Sequence, residues 1–89
     1  MIGKTGPQRS RETVGMTEAV RQIGISAERL RYWELKGVIS PVYVSHRSKQ
    51  VRRYSMEDID VAREIWRLIE DEGFTLKGAA ERMNRPYRG

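Results

Sequence analysis

The strongest constraint in this chain is a helical period broken at short intervals by glycine and proline. Met16, Ala19, Val20 and Ile23 fall at i, i+3, i+4 and i+7, the stripe of an amphipathic helix. Thr17 is its candidate N-cap, and Gly24 can supply the positive φ that ends a helix. Ser26 offers a second N-cap, after which Ala27, Leu30, Trp33 and Leu35 give an apolar side as far as about Lys36. Gly37 ends this helix and Pro41 prevents its renewal. Two helices joined by a tight turn through Gly24 have helix-turn-helix spacing.

Beyond Pro41 the period changes. Val42, Tyr43, Val44, Val51 and Tyr54 favour strands around a polar, basic centre. This pattern predicts a hairpin with a long, flexible tip at residues 45–50, where no Asn-Gly or other glycine marks the turn. Ser55-Met56-Glu57-Asp58 resembles a capping box and opens a third helix, whose stripe is Ile59, Ala62, Ile65 with Trp66, and Ile69. Gly73 ends it. Thr75 caps a last short helix with Leu76, Ala79, Ala80 and Met83 facing inward, stopped by Asn84, Arg85 and Pro86. Residues 1–15 follow neither period and are expected to form a disordered arm. The domain is expected over 16–84, with a tail at 85–89. The fold class is mainly α with a small β-hairpin between two helix pairs.

Composition bounds the function. The 89 residues allow one small domain, and the absence of cysteine excludes a disulfide framework, a thiolate metal site and a Cys nucleophile. No apolar stretch approaches the ~20 residues of a membrane span, and no apolar h-region suggests a secretory signal. His46 lies on the hairpin tip without an acidic partner, and one His without Cys makes no zinc set. Glu57, Asp58 and Asp60 cluster at a helix start, where capping explains them, and Gly73 and Gly78 form no phosphate loop. Neither an enzyme nor a cofactor is expected.

Charge is divided unevenly. Residues 1–55 hold 11 Lys/Arg against 4 Asp/Glu, whereas residues 56–89 hold 6 against 8, so +7 and −2 give the net +5. A basic half points to a polyanion-binding surface. With Leu30 and Trp33 buried, Glu28, Arg29, Tyr32 and Lys36 occupy the opposite side of the second helix, and Arg31 flanks them. Arg can bond guanine bidentately, and a Tyr hydroxyl can bond phosphate. Glu28 and Glu34 would repel phosphate and are expected to pair with neighbouring Arg side chains. On the hairpin, His46, Arg47, Lys49, Arg52 and Arg53 form a run without an acid. Such a ribbon can follow a DNA backbone or enter a minor groove. The alternatives are an ordinary solvated helix face and edge-strand cations that discourage aggregation. Trp33 and Trp66 lie on apolar stripes, so core packing is their first reading.

Taken in order, Leu30-Arg31-Tyr32-Trp33-Glu34, Gly37-Val38-Ile39 with Pro41, Arg52-Arg53-Tyr54-Ser55, Asp58-Ile59 and Gly73-Phe74-Thr75-Leu76 resemble the MerR-family winged-helix DNA-binding domain. The resemblance spans residues 16–83. It implies a winged helix-turn-helix followed by a second helix pair, in a bacterial, cytoplasmic transcription regulator acting at the nucleoid. Its implied partners are double-stranded promoter DNA, a second copy on an inverted repeat, and RNA polymerase. The implied recognition helix is 26–36, beginning at Ser26, with Arg31 and Tyr32 at DNA-contacting positions and Trp33, in place of a frequent second tyrosine, keeping a phosphate contact. Arg52 and Tyr54 match the last wing strand, and Arg67 stands where some members have a basic residue near the backbone. Two features depart from the pattern. Tyr43 replaces the usual Arg after the wing proline, and no long dimerising helix or effector domain follows within the chain. Short heat-shock repressors are a similar subgroup. An excisionase-like architectural DNA-binding protein and a basic protein-interaction module are the alternative functions.

Overall fold

The computed structural model describes residues 12–89. In chain order these form β1 (Thr13–Val14), α1 (Met16–Ile23), α2 (Ala27–Leu35), β2 (Val42–His46), β3 (Lys49–Ser55), α3 (Met56–Glu72) and α4 (Leu76–Arg82). Two helix pairs flank the hairpin, as expected of a winged helix-turn-helix. The sheet is larger than expected, with three strands in the order β1-β3-β2. Thr13 and Val14, assigned from sequence to the arm, pair with Ser55 and Tyr54. Arg53 secures this pairing by donating to the Thr13 hydroxyl at 3.2 Å and to its carbonyl at 2.9 Å. A two-residue strand has no period, so it cannot be recognised from local sequence. The remainder of the arm, residues 1–11, lies outside the described residues.

The helix ends follow local chemistry. Ser26, Ser55 and Thr75 accept the N–H groups of Arg29, Asp58 and Gly78, satisfying donors left over at the helix starts. Gly24 at φ 90° and Gly73 at φ 76° close α1 and α3 in the left-handed conformation. Thr17 is not a cap. Helix α1 begins at Met16, so Gly15, two residues before Thr17, holds the N-cap position without a side-chain bond, and the Gly15 carbonyl accepts from Ala19 at 2.9 Å.

One core joins the elements. Ala19 and Ile23 of α1, Leu30 and Trp33 of α2, and Ile59, Ala62, Ile65 and Leu68 of α3 are buried together. Ile25 from the α1–α2 turn, Val38 and Ile39 from the α2–β2 loop, Tyr54 of β3, and Ala79 and Ala80 of α4 complete it. Helix α3 is the spine on which α1 and α4 pack. Alanines at Ala19, Ala62, Ala79 and Ala80, each 0% exposed, let those backbones approach closely. Leu35 does not join the apolar side of α2: it is 68% exposed. Five residues beyond Leu30, it lies roughly 140° around a helix of 3.6 residues per turn.

The hairpin is also tighter than expected. Ser45 pairs with Gln50 and His46 with Lys49, so most of the expected 45–50 tip is strand. The loop is Arg47-Ser48 alone, with φ 52° and 67°. Two central residues at positive φ meet the requirement of a type I′ turn, whose twist matches that of the flanking strands. Here strand pairing and twist override the absence of glycine. Replacing Arg47-Ser48 by Asn-Gly should relieve the left-handed strain and raise stability by about 1 kcal/mol. Urea denaturation checks this, and an unchanged or lower midpoint would mean the turn carries no such strain.

Candidate nucleic-acid interface

Burial of Leu30 (0%) and Trp33 (1%) fixes the rotation of α2. That rotation leaves Ser26, Glu28, Arg29, Arg31 and Tyr32 exposed. The Ser26 hydroxyl is engaged as the cap, accepting from the Arg29 N–H at 3.0 Å. The Arg29 guanidinium sits 4.6 Å above the Trp66 ring, at the border of α2 and α3. Lys36 lies between the Tyr32 and Tyr87 rings, at 5.6 and 5.4 Å. Both contacts hold a cation at the surface without neutralising it. Trp33 is a correction to the candidate set. It packs 6.2 Å from Trp66 at 54°, and its burial gives it a core role in place of the implied phosphate contact. Glu28 forms no ion pair among the described residues, contrary to expectation.

His46, Arg47 and Lys49 lie exposed at the end of the hairpin. Arg52 and Arg53 are consecutive, so strand alternation sends them to opposite faces of the sheet. Arg53 shares its face with Val44, His46, Val51 and Thr13. Arg52 faces α2 beside its cross-strand partner Tyr43. There Glu34, with a side chain only 11% exposed, accepts from the Tyr54 hydroxyl and pairs with Arg52 at 3.5 Å. Burial, then the hydrogen bond to Glu34, pushes the Tyr54 phenol above its ordinary pKa of 10.0, so it remains a donor. The Tyr43 hydrogen bond, then the Glu34 charge, likewise holds Arg52 above its ordinary value. Between α2 and the hairpin this arrangement leaves an open groove of about 610 Å³, bordered by Arg31, Leu35, Tyr43, Arg52 and Arg88.

The ion pairs separate the cations into two groups. On α3, Arg63 pairs with Asp60 at 3.6 Å, and Arg67 pairs with Glu64 at 2.6 Å and Glu72 at 3.2 Å. The candidate Arg67 is therefore neutralised by carboxylates of its own helix. By contrast, Arg29, Arg31, Lys36, Arg47, Lys49, Arg53 and Arg88 have no carboxylate within ion-pair distance among the described residues. Arg88 borders this surface without any signal in the sequence, and the link from Glu34 to Tyr54 and Arg52 was not legible there although each residue was named. The RYWE stretch gave a signal for Glu34, but its partners come from a strand whose register was not legible. Among the described residues, no helix is long and apolar enough to cross a membrane.

Residues 15–85 match the family described as MerR HTH family regulatory protein. A protein of Streptomyces coelicolor that carries the name heat shock protein HspR is 35% identical over 60 residues, which are 67% of this chain. The aligned part is 38% of that relative's length.

The Glu34 clasp makes two measurable claims. Tyr54→Phe and Glu34→Gln should each lower stability by about 1–2 kcal/mol, with a coupling in the double variant of about 1 kcal/mol in urea denaturation. Zero coupling would show that the two groups act independently. The second claim concerns alkaline pH. Since the folded-state pKa of Tyr54 is raised, its contribution is fully present below the ordinary value of 10.0. It is lost as pH rises above that value, because the unfolded chain ionises first. Tyr54→Phe should remove this part of the alkaline decline.

Proposed function

Because the chain belongs to the MerR family of helix-turn-helix regulatory proteins, we propose that it binds double-stranded DNA sequence-specifically and regulates transcription. In this reading α2 is the recognition helix and enters the major groove. The β2–β3 hairpin is the wing and lies along the phosphate backbone or reaches into the minor groove. Arg31 and Tyr32, exposed on α2, face base edges, where an Arg fork can bond guanine bidentately. Arg47 and Lys49, exposed on the hairpin, contact phosphates in a sequence-independent way.

The observation that carries this reading is the sorting of charge. Among the described residues, Arg29, Arg31 and Lys36 of the α2 segment and Arg47, Lys49 and Arg53 of the hairpin have no carboxylate partner, whereas Arg21, Arg52, Arg63 and Arg67 are paired. An uncompensated set of guanidinium and ammonium groups around one helix and one ribbon matches a polyanion in sign and shape. A basic module for an acidic protein shares the charge requirement, but it does not need an exposed Arg-Tyr helix of groove-entering size.

Fluorescence titration of a labelled duplex at several salt concentrations tests the proposal. With four to six phosphate contacts, log affinity should fall against log salt with a slope of about −4 to −5. Arg31→Ala should weaken binding by about 1–3 kcal/mol and relax the preference at one base position. Arg47→Ala should weaken binding evenly across sequences and reduce the slope by about 1. Binding independent of salt would overturn the reading. Footprinting on the DNA upstream of its own coding region checks whether two copies occupy an inverted repeat.

A further inference from the structure

The residues after α4 turn back across the molecule. Asn84 takes a left-handed conformation at φ 58°, and the Arg85 N–H donates to the Ala80 carbonyl at 2.8 Å. The Arg85 guanidinium then bonds Asp58 at 2.8 Å, in a pair whose side chains are only 20% and 13% exposed. It also reaches the Val38 carbonyl at 3.4 Å. Tyr87 is partly buried and lies beneath Lys36. The Arg88 N–H donates at 2.7 Å to the Lys36 carbonyl, one of the acceptors left unpaired where α2 ends. The expected tail is thus tied to the start of α3 by an ion pair, and to the end of α2 by a ring contact and a backbone hydrogen bond.

These ties place the Arg88 side chain over Gly37. A Cβ built there would lie 3.6 Å from the Arg88 Nε. From this position Arg88 borders the groove between α2 and the hairpin, together with Arg31 and Arg52. The carboxylate in that groove, Glu34, is already engaged by Tyr54 and Arg52. Arg88 therefore has no carboxylate within ion-pair distance among the described residues. Guanidinium groups gathered around one open groove repel one another, and an entering anion relieves that repulsion.

We propose that Arg88 contacts a backbone phosphate of the bound duplex, with Arg85 and Tyr87 latching the C-terminal segment so that it extends the interface. This inference rests on the double-stranded DNA reading and adds a third element to α2 and the hairpin. Arg88 supplies the contact, whereas Arg85, turned towards Asp58, is a positioning residue.

The test compares the salt dependence of duplex binding for the wild type and four variants of the full chain. Arg88→Gln should reduce the slope by about 0.9, the value of one phosphate contact. Affinity should fall by the same factor on cognate and random duplexes. Arg88→Lys should keep the slope. Arg85→Gln should lower the slope by releasing Arg88, and the Arg85→Gln/Arg88→Gln pair should be no worse than Arg88→Gln alone. Additive losses in that pair would overturn the latch. A wild-type slope retained in Arg88→Gln would overturn the contact while leaving the DNA reading intact. Salt-independent binding by the wild type would overturn both. Because the Arg88 side chain is exposed, Arg88→Gln should melt like the wild type, which separates the contact from a folding defect.

Discussion

The placement of α2 against the hairpin depends on Glu34, a carboxylate largely withdrawn from water that accepts from the Tyr54 hydroxyl and pairs with Arg52. A carboxylate in that position is costly unless its oxygens are satisfied. Here one comes from the end of α2 and the partners from β3, so the helix and the ribbon are mutually required. Tyr54 extends the constraint inward. Its ring is 1% exposed in the core, while its hydroxyl reaches the clasp. The angle between the two cation-bearing elements is therefore tied to the packing of the whole domain.

That coupling explains why the useful charge is not the formal charge. The hairpin's Arg52 is held by Glu34 and Tyr43, and Arg53 is tied to Thr13 of β1. Both hold the sheet in shape. The more exposed Arg47 and Lys49 extend beyond it. On α3 the (i, i+3) pairs of Arg63 and Arg67 with Asp60 and Glu64 stabilise the helix and cancel its field locally. A count of Lys and Arg along the chain weighs all of these alike, whereas ion pairing separates framework cations from those left free.

What was legible in the sequence is what depends on neighbours along the chain. Ser26, Ser55 and Thr75 cap helices because their side chains reach an N–H three residues on, and Gly24 and Gly73 end helices because their φ is positive. The Leu30–Trp33 spacing was enough to orient α2 and expose Arg31 and Tyr32. Less was legible where distant residues decide. The two-residue turn at Arg47-Ser48 is imposed by pairing along β2 and β3. Strand β1 exists because Arg53 and the edge of β3 receive it. Trp33 and Arg67 illustrate the same limit at the candidate site, since Trp66 accounts for one and Glu64 with Glu72 for the other.

The consecutive residues Arg52 and Arg53 of β3 take opposite tasks in the hairpin. Chemically identical and adjacent, they are separated by the alternation of a strand, which sends one to the α2 groove and the other to the β1 side. A shift of register by one residue would exchange them, removing the partner of Glu34 and the anchor of Thr13 together. The hairpin register is thus specified by polar contacts on both faces as well as by Tyr54 in the core. A ribbon so fixed holds its basic tip at one distance and angle from α2, as the proposed contact of both elements with one duplex requires.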